Sequence, residues 1–213
     1  MEGKKNIEII STWIIIILFS VGIIGHSISQ LRNLMILLTP ITLSITTVIV
    51  VLNILKEKRS TNFNWILVVV LFTLAIEILG VKTKLIFGEY EYGNVLGIKI
   101  YDVPIIIGFN WALIILGAIQ ISEKYIDKKY IAIIVSSFLA VLFDFILEPV
   151  AVKLVYWSWK GNNIPVQNYL AWFVISLLAS FLYFILKIKI NSSLPKIYFI
   201  VQIIFFSSLL ILL

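Results

Sequence analysis

"FLAVLFDFILEPVAVKLVYWSW", Phe138 to Trp159, sets two carboxylic acids in an apolar run about as long as a bilayer's hydrocarbon is thick. Asp144 and Glu148 stand four residues apart, about one turn of an α-helix, so both fall on one face. Whether this is a core helix of a soluble protein or a membrane span is settled by the rest of the chain. Of its 213 residues 61% are hydrophobic and only 13% charged, and mean hydropathy is +1.09, far from the balance of a soluble domain. The fold class that follows is all-α: a polytopic membrane helix bundle forming a single transmembrane domain over residues 1–213.

Outward from that stretch the chain divides into seven apolar runs near spanning length: Ile9 to Ile28, Leu34 to Leu55, Trp65 to Val81, Val103 to Ser122, Tyr130 to Val152, Val166 to Leu186 and Ile197 to Leu213. The first follows Lys4 and Lys5 as a signal peptide would, but it is long and no A-x-A-like cleavage site follows it, so it reads as a retained helix. Seven spans put Lys4, Lys5, Lys56, Lys58, Arg59, Lys124, Lys128, Lys129, Lys187, Lys189 and Lys196 on one side of the bilayer. Arg32, Lys82, Lys84, Lys99, Lys153 and Lys160 fall on the other. The positive-inside rule assigns the richer side to the cytoplasm, hence a cytoplasmic N-terminus and an outer C-terminus in a cell membrane. Orientation also accounts for the pI near 9.4 without any nucleic-acid partner.

Acids are distributed differently. Glu2, Glu8, Glu57, Glu123 and Asp127 lie among the cytoplasmic lysines and read as solvated charges, while Glu77, Glu89, Glu91, Asp102, Asp144 and Glu148 lie on the outer side or in spans that end there. A carboxyl group at membrane depth is costly and by default faces a protein interior or cavity. Asp144, Glu148 and Glu77, the last in "LFTLAIEILGVKT", are therefore the candidate catalytic residues. The plainer reading pairs them with Lys82, Lys84 or Lys153 as pins between helices. Near them in the sequence stand Asn110 and Trp111 in the fourth span, and Gln167, Asn168, Tyr169 and Trp172 at the start of the sixth. A buried amide in lipid must find a partner, so Asn110 and Asn168 are candidates for the same cavity. Trp157 and Trp159 fit the aromatic belt of a membrane interface. Pro149 and Pro104 are placed to bend or start helices beside the site.

Between the third and fourth spans "FGEYEYGNVLG", Phe87 to Gly97, alternates Glu89 and Glu91 with Tyr90 and Tyr92. In an extended chain the two pairs point to opposite faces, so this segment reads as a lid or re-entrant piece with one pair turned to the cavity.

Several chemistries lack their parts. With no cysteine there are no disulfides, thiolates or Cys-ligated metals. His26 is the only histidine, which excludes histidine-cluster oxidases and reads as a polar residue at a helix end. The last span has no lysine for a retinal Schiff base, and no phosphate-binding glycine motif occurs. Carboxylates, amides and aromatic rings in an apolar cavity remain.

Four blocks in order, "EILGVKTKLIFGEYEYGNVLG" (Glu77 to Gly97), "VPIIIGFNWALIILG" (Val103 to Gly117), "DFILEPVAVKLVYWSW" (Asp144 to Trp159) and "IPVQNYLAWF" (Ile164 to Phe173), resemble the membrane carotenoid biosynthesis protein family that includes the carotenoid hydratases of bacterioruberin-type and myxoxanthophyll-type pathways. The first two spans and the last match only as hydrophobic helices. The resemblance implies an acyclic carotenoid or other long isoprenoid as substrate, and addition of water across a terminal carbon–carbon double bond.

Hydrating such an alkene needs a proton donor, a positioned water and a base, and neither a metal nor a redox cofactor. Asp144 is assigned the donor role and Glu148 the base or water-positioning role, with Glu77 in support; the exchanged assignment stays open. Asn110, Trp111, Asn168, Tyr169, Trp172, Tyr90, Tyr92, Glu89 and Glu91 are the expected substrate-binding set. A carotenoid cyclase, an intramembrane prenyltransferase using carboxylates to hold Mg²⁺, and a non-enzymatic pigment carrier or transporter are the alternatives.

Overall fold

A computed structural model describes the backbone of residues 2–213 and the side chains of residues 6–213. The side chains of Glu2, Lys4 and Lys5, counted above with the cytoplasmic charges, lie outside the described residues. Seven helices account for most of the chain: α1 (Glu2–Ser27), α2 (Ser29–Leu55), α3 (Ser60–Thr83), α4 (Ile105–Tyr125), α5 (Lys129–Lys153), α6 (Val166–Ile185) and α7 (Leu194–Leu212). All seven have a stretch long and apolar enough to cross a membrane, so the protein is an all-α multi-pass bundle.

The helices extend beyond the apolar runs wherever a polar first turn finds partners inside the protein. Helix α3 begins at Ser60, not Trp65, because Asn62 is buried and donates to the Lys189 carbonyl at 2.9 Å. Helix α7 begins at Leu194, not Ile197, because the connection before it is held by acids from elsewhere. Glu57 accepts the backbone N–H groups of Asn191 and Ser192, both at 2.9 Å, and Glu8 accepts the N–H of Ser193 at 2.6 Å, next to the start of α7. Glu8 and Glu57 are thus staples rather than the solvated charges expected of them. Conversely, α4 starts two residues later than its apolar run, since Val103–Pro104 is a strand (β3) paired with Lys99–Ile100 (β2).

Helix α4 runs through the middle of the bundle: every residue from Ile114 to Ile119 is buried. Lipid is as apolar as leucine, so such packing depends on shape and on hydrogen bonds rather than on the hydrophobic effect. Gly117 supplies the shape. A Cβ there would lie 2.5 Å from the Pro195 carbonyl oxygen and 2.6 Å from the Phe199 Cβ, so α4 and α7 meet at backbone distance. Hydrogen bonds supply the rest. The Trp65 indole donates to the Ala179 carbonyl at 3.2 Å, joining α3 to α6, and the Ser136 hydroxyl reaches that of Ser180 at 3.0 Å, joining α5 to α6.

Gly117→Val is accordingly expected to push α7 off α4 and cost about 1–3 kcal/mol. A lowered midpoint of thermal unfolding in detergent reads this, and an unchanged midpoint refutes the close approach.

Candidate functional site

Two long connections, residues 84–104 and 154–165, emerge at the same end of the bundle and pair with each other. The strand Tyr90–Tyr92 (β1) lies antiparallel to Trp157–Trp159 (β4), with Tyr90 opposite Trp159, Glu91 opposite Ser158 and Tyr92 opposite Trp157. The Gly93 N–H to Tyr156 carbonyl bond and the Lys160 N–H to Glu89 carbonyl bond, both 2.9 Å, extend the ladder. Gly93 is required here, as any Cβ would overlap the Val155 carbonyl. Because strand side chains alternate, this register puts four aromatic rings, Tyr90, Tyr92, Trp157 and Trp159, on the inner face, and Glu91 and Ser158 on the exposed outer one. The segment is therefore an extended cap whose tyrosines turn inward. Glu89 stays outside, tied to Lys84 and, at 2.7 Å, to Lys160. Those two ammonium groups hold its carboxyl below the usual range, so the tie persists above that depressed value and is lost as pH falls through it.

Beneath the cap lie the three membrane carboxyls. Glu77, Asp144 and Glu148 are 3%, 1% and 2% exposed. The lysine pairing considered for them does not occur: Glu89 makes the ion pairs among the described residues. Neutral donors hold the three instead. The Tyr90 hydroxyl donates to Glu77. Asn168, on the first turn of α6, gives its amide N–H groups to Asp144 Oδ2 at 2.7 Å and Glu148 Oε1 at 3.1 Å, which joins the two acids that share a face of α5. The indole N–H groups of Trp157 and Trp159 both reach Glu148 Oε2, at 2.9 and 2.8 Å. These tryptophans are buried ligands of a carboxyl group and not the interfacial anchors expected from their position. Burial, with the Glu77 carboxyl close by, pushes the Tyr90 and Tyr92 phenols well above their ordinary range, so both remain proton-bearing donors.

Between these groups is a chamber of about 20 Å³, room for about one water molecule. Its floor and sides are aromatic. Trp111 of α4 and Trp172 of α6 stack with ring centroids 3.5 Å apart, and Phe87 also stacks on Trp172, at 5.3 Å. Asn110 also lines the chamber, but its Oδ1 accepts from Tyr198 at 2.7 Å and Gln202 at 2.8 Å, tying α4 to α7 and leaving only Nδ2 for the chamber.

Of the residues singled out in the sequence, Glu77, Asp144, Glu148, Asn110, Trp111, Asn168, Trp172, Tyr90 and Tyr92 are brought together. Tyr169 is not: half-buried, it leans on Phe145 with centroids 5.7 Å apart. Glu89 and Glu91 lie on the far side of the cap. Gln167 clamps the carbonyls of Leu85 and Ile86. Pro149 lies inside α5, which continues through it to Lys153, and Pro104 directly precedes the start of α4 as anticipated. Phe87, Ile107, Leu147, Trp157 and Trp159 complete the lining. For the tryptophans a signal was present: "YEY" and "WSW" are matching period-two triplets.

Fold and chamber together define a multi-pass membrane protein with a closed carboxyl cluster under an aromatic cap at one end of its bundle. The sequence profile of the family described as carotenoid biosynthesis protein matches residues 13–213, and the chain belongs to that family. The match reaches well beyond Glu77 to Phe173 and takes in α2, α7 and most of α1, so its role lies in carotenoid biosynthesis. No curated protein and no solved structure matches the chain.

Replacing Asn168 by leucine leaves a buried oxygen on each of two carboxyls without its amide donor. At about 1–3 kcal/mol for each unsatisfied group, thermal unfolding is expected to show a loss of several kcal/mol, and wild-type stability would show that the amide bridge holds nothing.

Proposed function

We propose that this protein is a carotenoid hydratase, adding water across a terminal double bond of an acyclic carotenoid by acid catalysis. The observation that carries this reading is a water-sized chamber walled by aromatic rings and bordered by three carboxyl groups that no cation among the described residues neutralises. The hydrogen bonds favour one division of labour. Glu148 receives three N–H donors over its two oxygens, the pattern an ionised carboxylate accepts. Asp144 receives one on Oδ2, which leaves Oδ1 to carry a proton toward the chamber.

In the reaction, Asp144 gives its proton to the less substituted alkene carbon, forming a C–H bond and a tertiary carbocation. The chamber water attacks the cation and forms the C–O bond, and Glu148 takes the proton the water loses. Return of that proton to Asp144, across the pair that Asn168 joins, closes the cycle with one water consumed. An aromatic face turned to the chamber would stabilise the cation by about 0.5–2 kcal/mol when desolvated. Glu77, held by Tyr90, supports the field of the pair.

Product mass separates hydration from cyclisation, since both begin with the same protonation but only hydration adds one water. Prenyl transfer needs carboxylates converging on Mg²⁺ and a diphosphate, and among the described residues no group of three acidic or histidine side chains is arranged to hold a metal. A carrier would bind pigment and leave its mass unchanged.

In cells making an acyclic carotenoid, the wild-type protein is expected to yield pigment heavier by one water per processed end, and Asp144→Asn and Glu148→Gln each to lower that yield by at least a hundredfold. Unchanged hydration in both variants removes these residues from the chemistry. Pigment of unchanged mass with the wild type sinks the hydratase reading itself. The chamber end is assigned to the outer side from the lysine and arginine distribution. The cysteine-free chain allows a direct check, with Asp102→Cys expected to react with an impermeant maleimide on intact cells; protection until lysis reverses the orientation.

A further inference from the structure

A second cavity, of about 130 Å³, lies between α1, α2 and α7 near the same end of the bundle. Tyr156 and Phe206 line it on the side of the carboxyl chamber. Tyr156 immediately precedes Trp157, and Phe206 meets Phe143, which stands edge-on to Trp111. Most of the lining is carbon, from residues such as Leu18, Phe19, Leu38 and Phe205, and the polar atoms belong to His26, Thr39, Thr42 and Tyr156.

The hydrogens of this lining are already directed elsewhere. His26 is 2% exposed, and its Nδ1 lies 2.8 Å from the Gly22 carbonyl, which can only accept, so Nδ1 carries the ring proton. Nε2 is then an acceptor, and it is buried with no partner among the described residues. The Thr39 hydroxyl gives its hydrogen to the Met35 carbonyl at 3.0 Å and so receives the Tyr156 hydroxyl at 3.3 Å. Only Thr42 retains a hydrogen to offer. A cavity of this size with a carbon lining takes a small apolar group, and the unpaired histidine acceptor demands that the group also donate. A hydrocarbon, an ether, a ketone or a carboxylate cannot do so. Water can, but it leaves the carbon lining uncovered; an alcohol donates and covers it, and its oxygen can accept from Thr42.

We propose that this cavity, in a chain of the carotenoid biosynthesis family whose ligands are isoprenoids, binds the hydroxyl-bearing end of an isoprenoid alcohol, with the O–H donated to Nε2 of His26. The site is separate from the carboxyl chamber and stands whether or not water is added there.

The test uses the purified full-length protein in detergent micelles, photolabelled with a diazirine derivative of geranylgeraniol, with unlabelled geranylgeraniol, its methyl ether and the parent hydrocarbon as competitors. Label is expected on peptides of Leu18 to His26 and Met35 to Leu43. Geranylgeraniol is expected to compete about fivefold better than the ether or the hydrocarbon, the discrimination of one neutral hydrogen bond. This comparison needs no variant. His26→Leu should abolish the preference, and His26→Gln, which restores an acceptor, should keep it. Equal competition by alcohol and ether, label confined to the carboxyl chamber, or a preference that survives His26→Leu would each overturn the proposal.

Discussion

A polar group inside a membrane protein has no water to fall back on, so each one must be met by another group of the same chain. Glu77, Asp144 and Glu148 press that constraint hardest. The backbone N–H groups around them are committed to their own helices, and among the described residues no lysine or arginine pairs with them. What meets them is a set of neutral side-chain donors, Tyr90, Asn168, Trp157 and Trp159, and three of these four come from the strands of the cap. The β1/β4 pairing therefore supplies the donors that meet Glu77 and Glu148, while Asn168 of α6 meets Asp144. The same logic operates at the opposite end, where Glu8 and Glu57 accept the backbone N–H groups of Asn191, Ser192 and Ser193 in the connection that leads into α7.

The constraint also explains why the chamber is small and aromatic. Indole and phenol bring a donor and a large apolar surface in one side chain, so the groups that hold the carboxyls also keep solvent out. Asn110 connects this region to the centre of the bundle. Its oxygen receives two donors from α7, and α7 in turn rests on Gly117 of α4, so the geometry at the chamber is referred to a close contact between the two helices.

Much of this was legible in the sequence. Seven apolar runs gave seven helices, and four-residue spacing correctly put Asp144 and Glu148 on one face. Period-two alternation in "GEYEYG" required its tyrosines and acids to part company, although which pair turned inward depended on a partner strand that hydropathy does not reveal. Trp157 and Trp159 misled for a physical reason: indole suits a membrane interface and a buried carboxyl equally well, and only the pairing with β1 decides between them. Helix starts were misplaced where polar first turns, as at Asn62, are satisfied by distant carbonyls, because a hydropathy window sees composition and not partners.

The cap has one more consequence. Connections between membrane helices are commonly treated as independent modules that can be trimmed, tagged or exchanged singly. Here the α3–α4 and α5–α6 connections are halves of one object, since Tyr90 pairs with Trp159 and Tyr92 with Trp157 across the β1/β4 ladder. In making chimaeras between members of the family, the unit of inheritance is the pair of loops, and a graft that moves one alone separates the carboxyl groups from the donors that let them stay buried.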